Sequence, residues 1–433
     1  MDEDPEMMEI PLTLIPACEG RVTPIFYLLP AILVAGFIFD QWLERLNHRS
    51  SRQPLPLLLR DLFDGKEYAR QQEYQQANYR FGRVTSWFSF LLLLAMLLFY
   101  GFALADHLAA SLTSHPLLHS LLFFGILMLA SGLLNLPFTL YDTFVIEEQF
   151  GFNKTTLKTF ISDQLKSVAL AVILGGSLLA LIIFIYNQTG RWFWLLAWGV
   201  MILVSLLITL FYSSLIVPLF NKQTPLPEGE LRSAIEDFAR KTGFSLSQIY
   251  QIDGSKRSAK ANAYFTGMGP RKRIVLYDTL IREMTTPEIV AVLAHEMGHY
   301  RKKHLLTGMM AGFLHSGIML FLFSQVAGSR LLAQALGIDA PSFHSGVVAF
   351  GILFSPLSLI TSLFTHSLSR KHEFEADNYA ASHGMAPDLI AALKKLSVHN
   401  LSNMTPHPWY VFFNYSHPTL LQRVENLQKH AAL

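Results

Sequence analysis

Residues 191–217 read RWFWLLAWGVMILVSLLITLFYSSLIV. After Arg191 the run carries no charge, and it exceeds the roughly 20 mostly apolar residues that a helix needs to cross a bilayer. A soluble domain rarely holds so long an apolar block, so this stretch sets the fold class: mainly α and polytopic in a membrane. Six more stretches qualify outward from it, at about 24–42, 86–106, 117–138, 167–186, 305–327 and 346–368. Seven transmembrane helices are therefore expected. The composition agrees, with 51% hydrophobic and 15% charged residues among 433, against about 25% charged in a soluble domain. A disordered or fibrous chain is excluded. A net charge of +2 gives no sign of nucleic acid as a partner. Cys18 is the single cysteine, which excludes an intrachain disulfide and a cysteine-built metal cage. The acidic start MDEDPEMMEI does not read as a secretory leader.

Basic residues in the connections set the orientation. Loop 43–85 carries eight Lys/Arg, loop 139–166 carries Lys154, Lys158 and Lys166, and segment 218–304 carries fourteen. The alternate connections are poor in them: none in 107–116, Arg191 at the edge of 187–191, and Arg330 in 328–345. One orientation satisfies every loop, with the N-terminus outside and segment 218–304 in the cytoplasm.

Segment 228–303 reads as soluble α/β. An amphipathic helix over 228–242 places Ile235, Phe238 and Ala239 together. Strand-like runs follow at 248–253 and 260–266, then a turn at Gly267–Pro270 and a strand at Arg273–Tyr277. A helix over 287–303 is capped by Thr286 and opened by Pro287. It contains His295-Glu296-Met297-Gly298-His299. Histidines at i and i+4 share one helical face, so both imidazoles can reach one metal ion, and Glu296 is placed beside them as a general base. A catalytic zinc takes three protein ligands. Further along, Arg370-Lys371-His372-Glu373-Phe374-Glu375-Ala376-Asp377 offers the third. By spacing alone Glu373, Glu375 and His372 compete for that place. Of Glu373 and Asp377, on one face at i and i+4, one could bind metal and the other orient an imidazole.

HEMGH together with EFEAD resembles the type I CAAX prenyl endopeptidase family of integral-membrane zinc metalloproteases. The resemblance extends over PLFNKQTPLPEGELR (218–232), GSKRSAKANAYFTG (254–267), RIVLYDTLI (273–281), FVIEEQFGFNKTT (144–156) and SHPTLLQR (416–423). It implies Glu373 as the third ligand and Asp377 as its outer partner, one Zn²⁺ per chain, and a ring of membrane helices around a water-filled chamber. Segment 258–261, Ser-Ala-Lys-Ala, looks more like bacterial members, and a bacterial inner membrane is expected, with the endoplasmic reticulum as the alternative. The implied division is a membrane region at 1–220 with five helices, a cytoplasmic zinc protease domain at 221–304, two further spans at 305–368, and a cytoplasmic segment at 369–433 with the third ligand.

Asn262-Ala263-Tyr264-Phe265 reads as a strand beside the active site, where an extended substrate could add by backbone hydrogen bonds. Asn262, Ala263 and Tyr264 are thus candidate substrate-binding residues. His417 is a candidate donor to the oxyanion, and Arg423 a candidate partner of a carboxylate. His315 and His366, in or beside the last two spans, read as buried, hydrogen-bonded histidines. The expected activity is metalloendopeptidase action on prenylated CAAX-type or other membrane-associated peptides, with protein substrate and membrane lipid as partners. A quality-control protease without prenyl preference is the first alternative. A seven-span transporter or receptor is the alternative of another class.

Overall fold

The computed structural model describes residues 24–244, 248–266 and 273–431; Cys18 and the turn Gly267–Pro270 lie outside them. The helices of the membrane region are α1 (Pro24–Ser50), α2 (Gly65–Leu98), α3 (Gly101–Leu112), α4 (Pro116–Tyr141), α5 (Leu157–Leu170), α6 (Ser177–Thr189), α7 (Phe193–Phe211) and the short α8 (Val217–Phe220). Among the described residues, five helical stretches are long and apolar enough to cross a membrane, and the fourth of them runs from Leu157 to Phe220. Its 64 residues would extend about 96 Å at 1.5 Å per residue, three times the hydrocarbon thickness. It instead turns back at Gly190, whose φ of 52° suits glycine. Lys166 Nζ at one end donates to the Leu219 carbonyl at the other, 2.8 Å away. This stretch is a hairpin and supplies two passages.

Two span boundaries differ from the sequence reading. The second span was expected over 86–106, but α2 begins at Gly65 and ends at Leu98, and Tyr100 takes a left-handed conformation before α3. The polar first half of α2 is anchored to the chain around residues 401–402: Gln71 and Gln75 donate to the Ser402 and Leu401 carbonyls at 2.8 and 2.7 Å. The last span is not one helix over 346–368. It is a pair of helices bent by 63° between Leu353 and Ser355, just before Pro356, which lacks the N–H that a continuing helix needs.

The unit that carries the HExxH helix begins with β1 (Gln223–Pro225) and α9 (Glu230–Lys241). It continues through β2 (Gln248–Ile252), β3 (Ala263–Thr266), β4 (Arg273–Tyr277), α10 (Asp278–Glu283) and α11 (Thr286–Arg301). The strands form one sheet in the order β1-β2-β4-β3, parallel only between β2 and β4. The three-residue β1 was too short to show alternation in the sequence. The span α12 (His304–Val326) follows, then α13 (Arg330–Ala335), α14 (Phe343–Leu353) and α15 (Ser355–Ser382). The chain closes with α16 (Ala386–His399), α17 (Pro408–Asn414) and α18 (Leu420–Ala431). Ile235, Phe238, Ile274, Leu276, Leu293 and Ala294 share one core with Ala380, Leu389 and Leu427, so stretches on both sides of the last two spans build a single unit.

Candidate metal centre

The site rests on the contact between α11 and α15. Thr285 stands at the N-cap of α11, one residue earlier than the sequence reading placed the cap, and its N–H donates to Glu288 at 2.8 Å. The inner face of α11 is apolar except for Glu288 and His295, and Ala294 and Met297 are fully buried. Gly298 is what lets α15 come close. A Cβ there would lie 2.9 Å from the Ala376 Cα and 3.0 Å from its carbonyl oxygen. This approach carries Glu373, one turn before Ala376, up to the two histidines.

The donor atoms converge. His295 Nε2 and His299 Nε2 are 3.1 Å apart, and Glu373 places Oε2 3.5 Å from the first and Oε1 3.3 Å from the second. Tetrahedral zinc with bonds near 2.05 Å needs its donors about 3.3 Å apart, so the three residues fit the ion. Their chemistry fits too, being two imidazoles and one carboxylate. Among the described residues this is the donor trio on the HExxH helix, and it selects Glu373 over its competitors. His372 and Glu375 instead flank His304, which sequence reasoning missed. His304 Nε2 meets Glu375 Oε2 at 2.9 Å, its ring stacks on His372 at 4.0 Å, and its Nδ1 lies 2.9 Å from His299 Nδ1. The only signal for His304 was its place five residues after His299, at the mouth of a span.

Asp377 is fully buried. Its Oδ1 sits 2.9 Å from His295 Nδ1, and it takes a two-pronged ion pair from Arg423 at 2.6 and 2.9 Å. Arg423 Nη1 also lies 3.4 Å from Glu373 Oε2. Burial and the Arg423 charge disfavour a proton on His295, but the carboxylates of Asp377 and Glu373 outweigh them and hold its pKa up to about 9. The field that favours a proton there favours a metal cation for the same reason. Glu296 is half-buried on the same helix. His417 is 63% exposed at the mouth, with Nε2 3.5 Å from Glu373 Oε1.

β3 is the outermost strand of the sheet among the described residues, paired only to β4. Asn262 is exposed just before it, and its carbonyl accepts from the Tyr277 N–H at 3.2 Å. Strand alternation separates its neighbours. Ala263 packs toward the α11 core, while Tyr264 packs with Val217, Ile252 and Val275 on the other face of the sheet. Any role of Tyr264 at the free edge is therefore through its backbone.

Beside the metal trio, a cleft of about 520 Å³ opens between α12 and α15. Leu305, Met309 and Leu368 line it, with His299 at its inner end.

The family described as CAAX prenyl protease N-terminal, five membrane helices, matches residues 44–222, and peptidase family M48 matches 225–431. The chain is 36% identical to the CAAX prenyl protease 1 homolog of rice over 92% of this chain and 95% of that one. It is 35% identical to CAAX prenyl protease 1 of Saccharomyces cerevisiae over 91% and 93%. The crystal structure of S. mikatae Ste24p superposes with a TM-score of 0.88 at 34% identity, covering 94% of this chain and 99% of that one. These relatives are eukaryotic, which runs against the bacterial membership expected from segment 258–261.

Proposed function

Because this chain belongs to peptidase family M48, as an integral-membrane metalloendopeptidase of the CAAX prenyl protease kind, we propose that it cleaves beside a prenylated cysteine at the cytoplasmic membrane face. The family sets aside the transporter and receptor readings. The observation that carries the proposal is the convergence of His295, His299 and Glu373 within 3.1–3.5 Å, backed by buried Asp377 and Arg423.

His295, His299 and Glu373 would hold one zinc ion in this centre. When bound, such an ion polarises a carbonyl and makes water a nucleophile at neutral pH. Asp377 accepts the His295 Nδ1–H and so turns the Nε2 lone pair toward the donor trio. Arg423 neutralises both buried carboxylates. Glu296 takes the proton from the attacking water and returns it to the leaving amine. His417, exposed at the mouth, donates to the oxyanion. A substrate strand adds to the free edge of β3, with Asn262 as a side-chain contact and Ala263 and Tyr264 as backbone contacts.

The apolar cleft between α12 and α15 supports the prenyl preference, because Leu305, Met309 and Leu368 line it and His299 stands at its inner end. Each methylene buried there adds about 0.8 kcal/mol. A quality-control protease would lack that dependence. The eukaryotic relatives favour the endoplasmic reticulum over a bacterial inner membrane.

The test is Glu296→Gln. It should retain zinc and bind a prenylated peptide while cleavage falls by about 10²–10⁴-fold, the usual range for a lost general base. Unchanged cleavage would remove Glu296 from the reaction. Equal cleavage of prenylated and unprenylated peptides by the unaltered chain would favour the quality-control reading.

A further inference from the structure

The opposite end of the membrane region holds a second trio that hydrolysis does not use. α4 begins at Pro116 and runs about 39 Å, at 1.5 Å per residue over its 26 residues, toward the connection 142–156, where the Lys154 N–H donates to the Arg257 carbonyl of the HExxH unit at 3.0 Å. At the Pro116 end, three helices deliver Asp106 (α3), His119 (α4) and His344 (α14) to one point. His344 Nε2 is 2.7 Å and His119 Nε2 2.9 Å from the same Asp106 oxygen, Oδ1. We propose that these residues form a second metal site, distinct from the HExxH centre, that binds a divalent transition ion of the zinc class.

The arrangement repeats the logic of the catalytic centre. There, His295 turns Nε2 inward because Nδ1 is held by Asp377. Here, His344 turns Nε2 inward because Nδ1 lies 2.9 Å from buried Ser120 Oγ. Phe123 stacks on the His344 ring at 4.4 Å and fixes its plane. His344 is fully buried, yet Asp106 and His119 remain 15% and 24% exposed, so water reaches the edge of the trio. Two imidazoles with one carboxylate suit zinc and its first-row neighbours, whereas magnesium and calcium prefer all-oxygen cages. The donors would have to open by about 0.4–0.6 Å to reach the 3.3 Å spacing of a tetrahedral site, and His119 Nε2 would have to give up its proton and leave the Asp106 main-chain carbonyl, now 3.1 Å away. The site would tie the α3–α4 hairpin to α14, clamping the end of the bundle far from catalysis. The metal content then rises from one to two per chain.

The test uses the full chain in detergent with His295→Ala and His299→Ala, which disables the catalytic centre. After chelator treatment it is equilibrated with one equivalent of Co²⁺, and metal content and visible absorption are measured. One retained equivalent with d–d bands is expected, along with a thermal midpoint that rises with Zn²⁺ and falls with chelator. Adding Asp106→Asn, or separately His119→Gln at the exposed edge, should weaken retention at least tenfold in chains that stay monodisperse on gel filtration. If no cobalt is retained and the midpoint ignores metal, the trio is only a hydrogen-bonded cluster and the proposal fails. Retention unchanged by both added substitutions would also overturn it.

Discussion

Gly298→Ala is the most informative single change at the helix contact. On an isolated helix, alanine is favoured over glycine by about 0.5–1 kcal/mol. Here the new Cβ would meet the Ala376 Cα at 2.9 Å, its carbonyl oxygen at 3.0 Å and the Tyr379 Cβ at 3.0 Å. Ordinary carbon contacts lie near 3.5–4.0 Å, so α11 and α15 must part by roughly 0.5–1 Å. Two of the three obstacles are backbone atoms, which cannot rotate away. Overpacking of this kind costs about 1–3 kcal/mol and outweighs the propensity gain. The separation acts directly on the metal trio, because Glu373 rides on α15 and its histidine partners on α11. Zinc affinity should fall at least tenfold, about 1.4 kcal/mol, as read by competition with a fluorescent chelator, and the thermal midpoint should drop. Ala376→Gly should not rescue either loss, since the clash is with the backbone. A Gly298→Ala protein that melts higher and holds zinc as tightly as the parent would refute the close-approach argument.

Two further predictions concern substrate and acid stability. Asn262→Ala should weaken a peptide by about 2- to 13-fold, the equivalent of one neutral hydrogen bond of roughly 0.5–1.5 kcal/mol, measured in the Glu296→Gln background with zinc content unchanged; unaltered affinity would make β3 mere scaffold. Burial works to raise the Glu288 pKa, but Lys395, 2.7 Å away, and the Thr285 N–H prevail and hold it below the usual carboxylate value. A depressed folded pKa gives stability that is present above the unfolded value of about 4.3 and lost as pH falls through the folded one. Glu288→Gln should therefore lower the thermal midpoint at pH 7, by a loss of about 1–2 kcal/mol given the half-exposed Lys395, and the gap to the parent should shrink below pH 4; a gap independent of pH would assign the effect to packing alone.

The parts legible in the sequence were those with local signatures. The HExxH helix showed its period and its histidine spacing within 16 residues, with the cap misplaced by one residue. The apolar runs gave the spans, although not the 63° bend before Pro356, which depends on how α14 and α15 pack. The third ligand stood among three donors within four residues, and only the distant contact of Gly298 with Ala376 selects one face of α15. Histidines show the same limit. His315 and His366 drew notice because they interrupt apolar runs, yet both are only half-buried. His119 and His344, held to Asp106 from elements up to 238 residues apart, carried no local signal at all.

The proposed chemistry stands or falls with one zinc ion on His295, His299 and Glu373. Diffraction from crystals of the unaltered protein, recorded on both sides of the zinc absorption edge, tests it most directly. An anomalous peak is expected at the HExxH helix within about 2.0–2.2 Å of His295 Nε2, His299 Nε2 and a Glu373 oxygen. A peak held instead by His304, His372 and Glu375, or no peak at the HExxH helix in protein that cleaves peptide, would contradict that assignment.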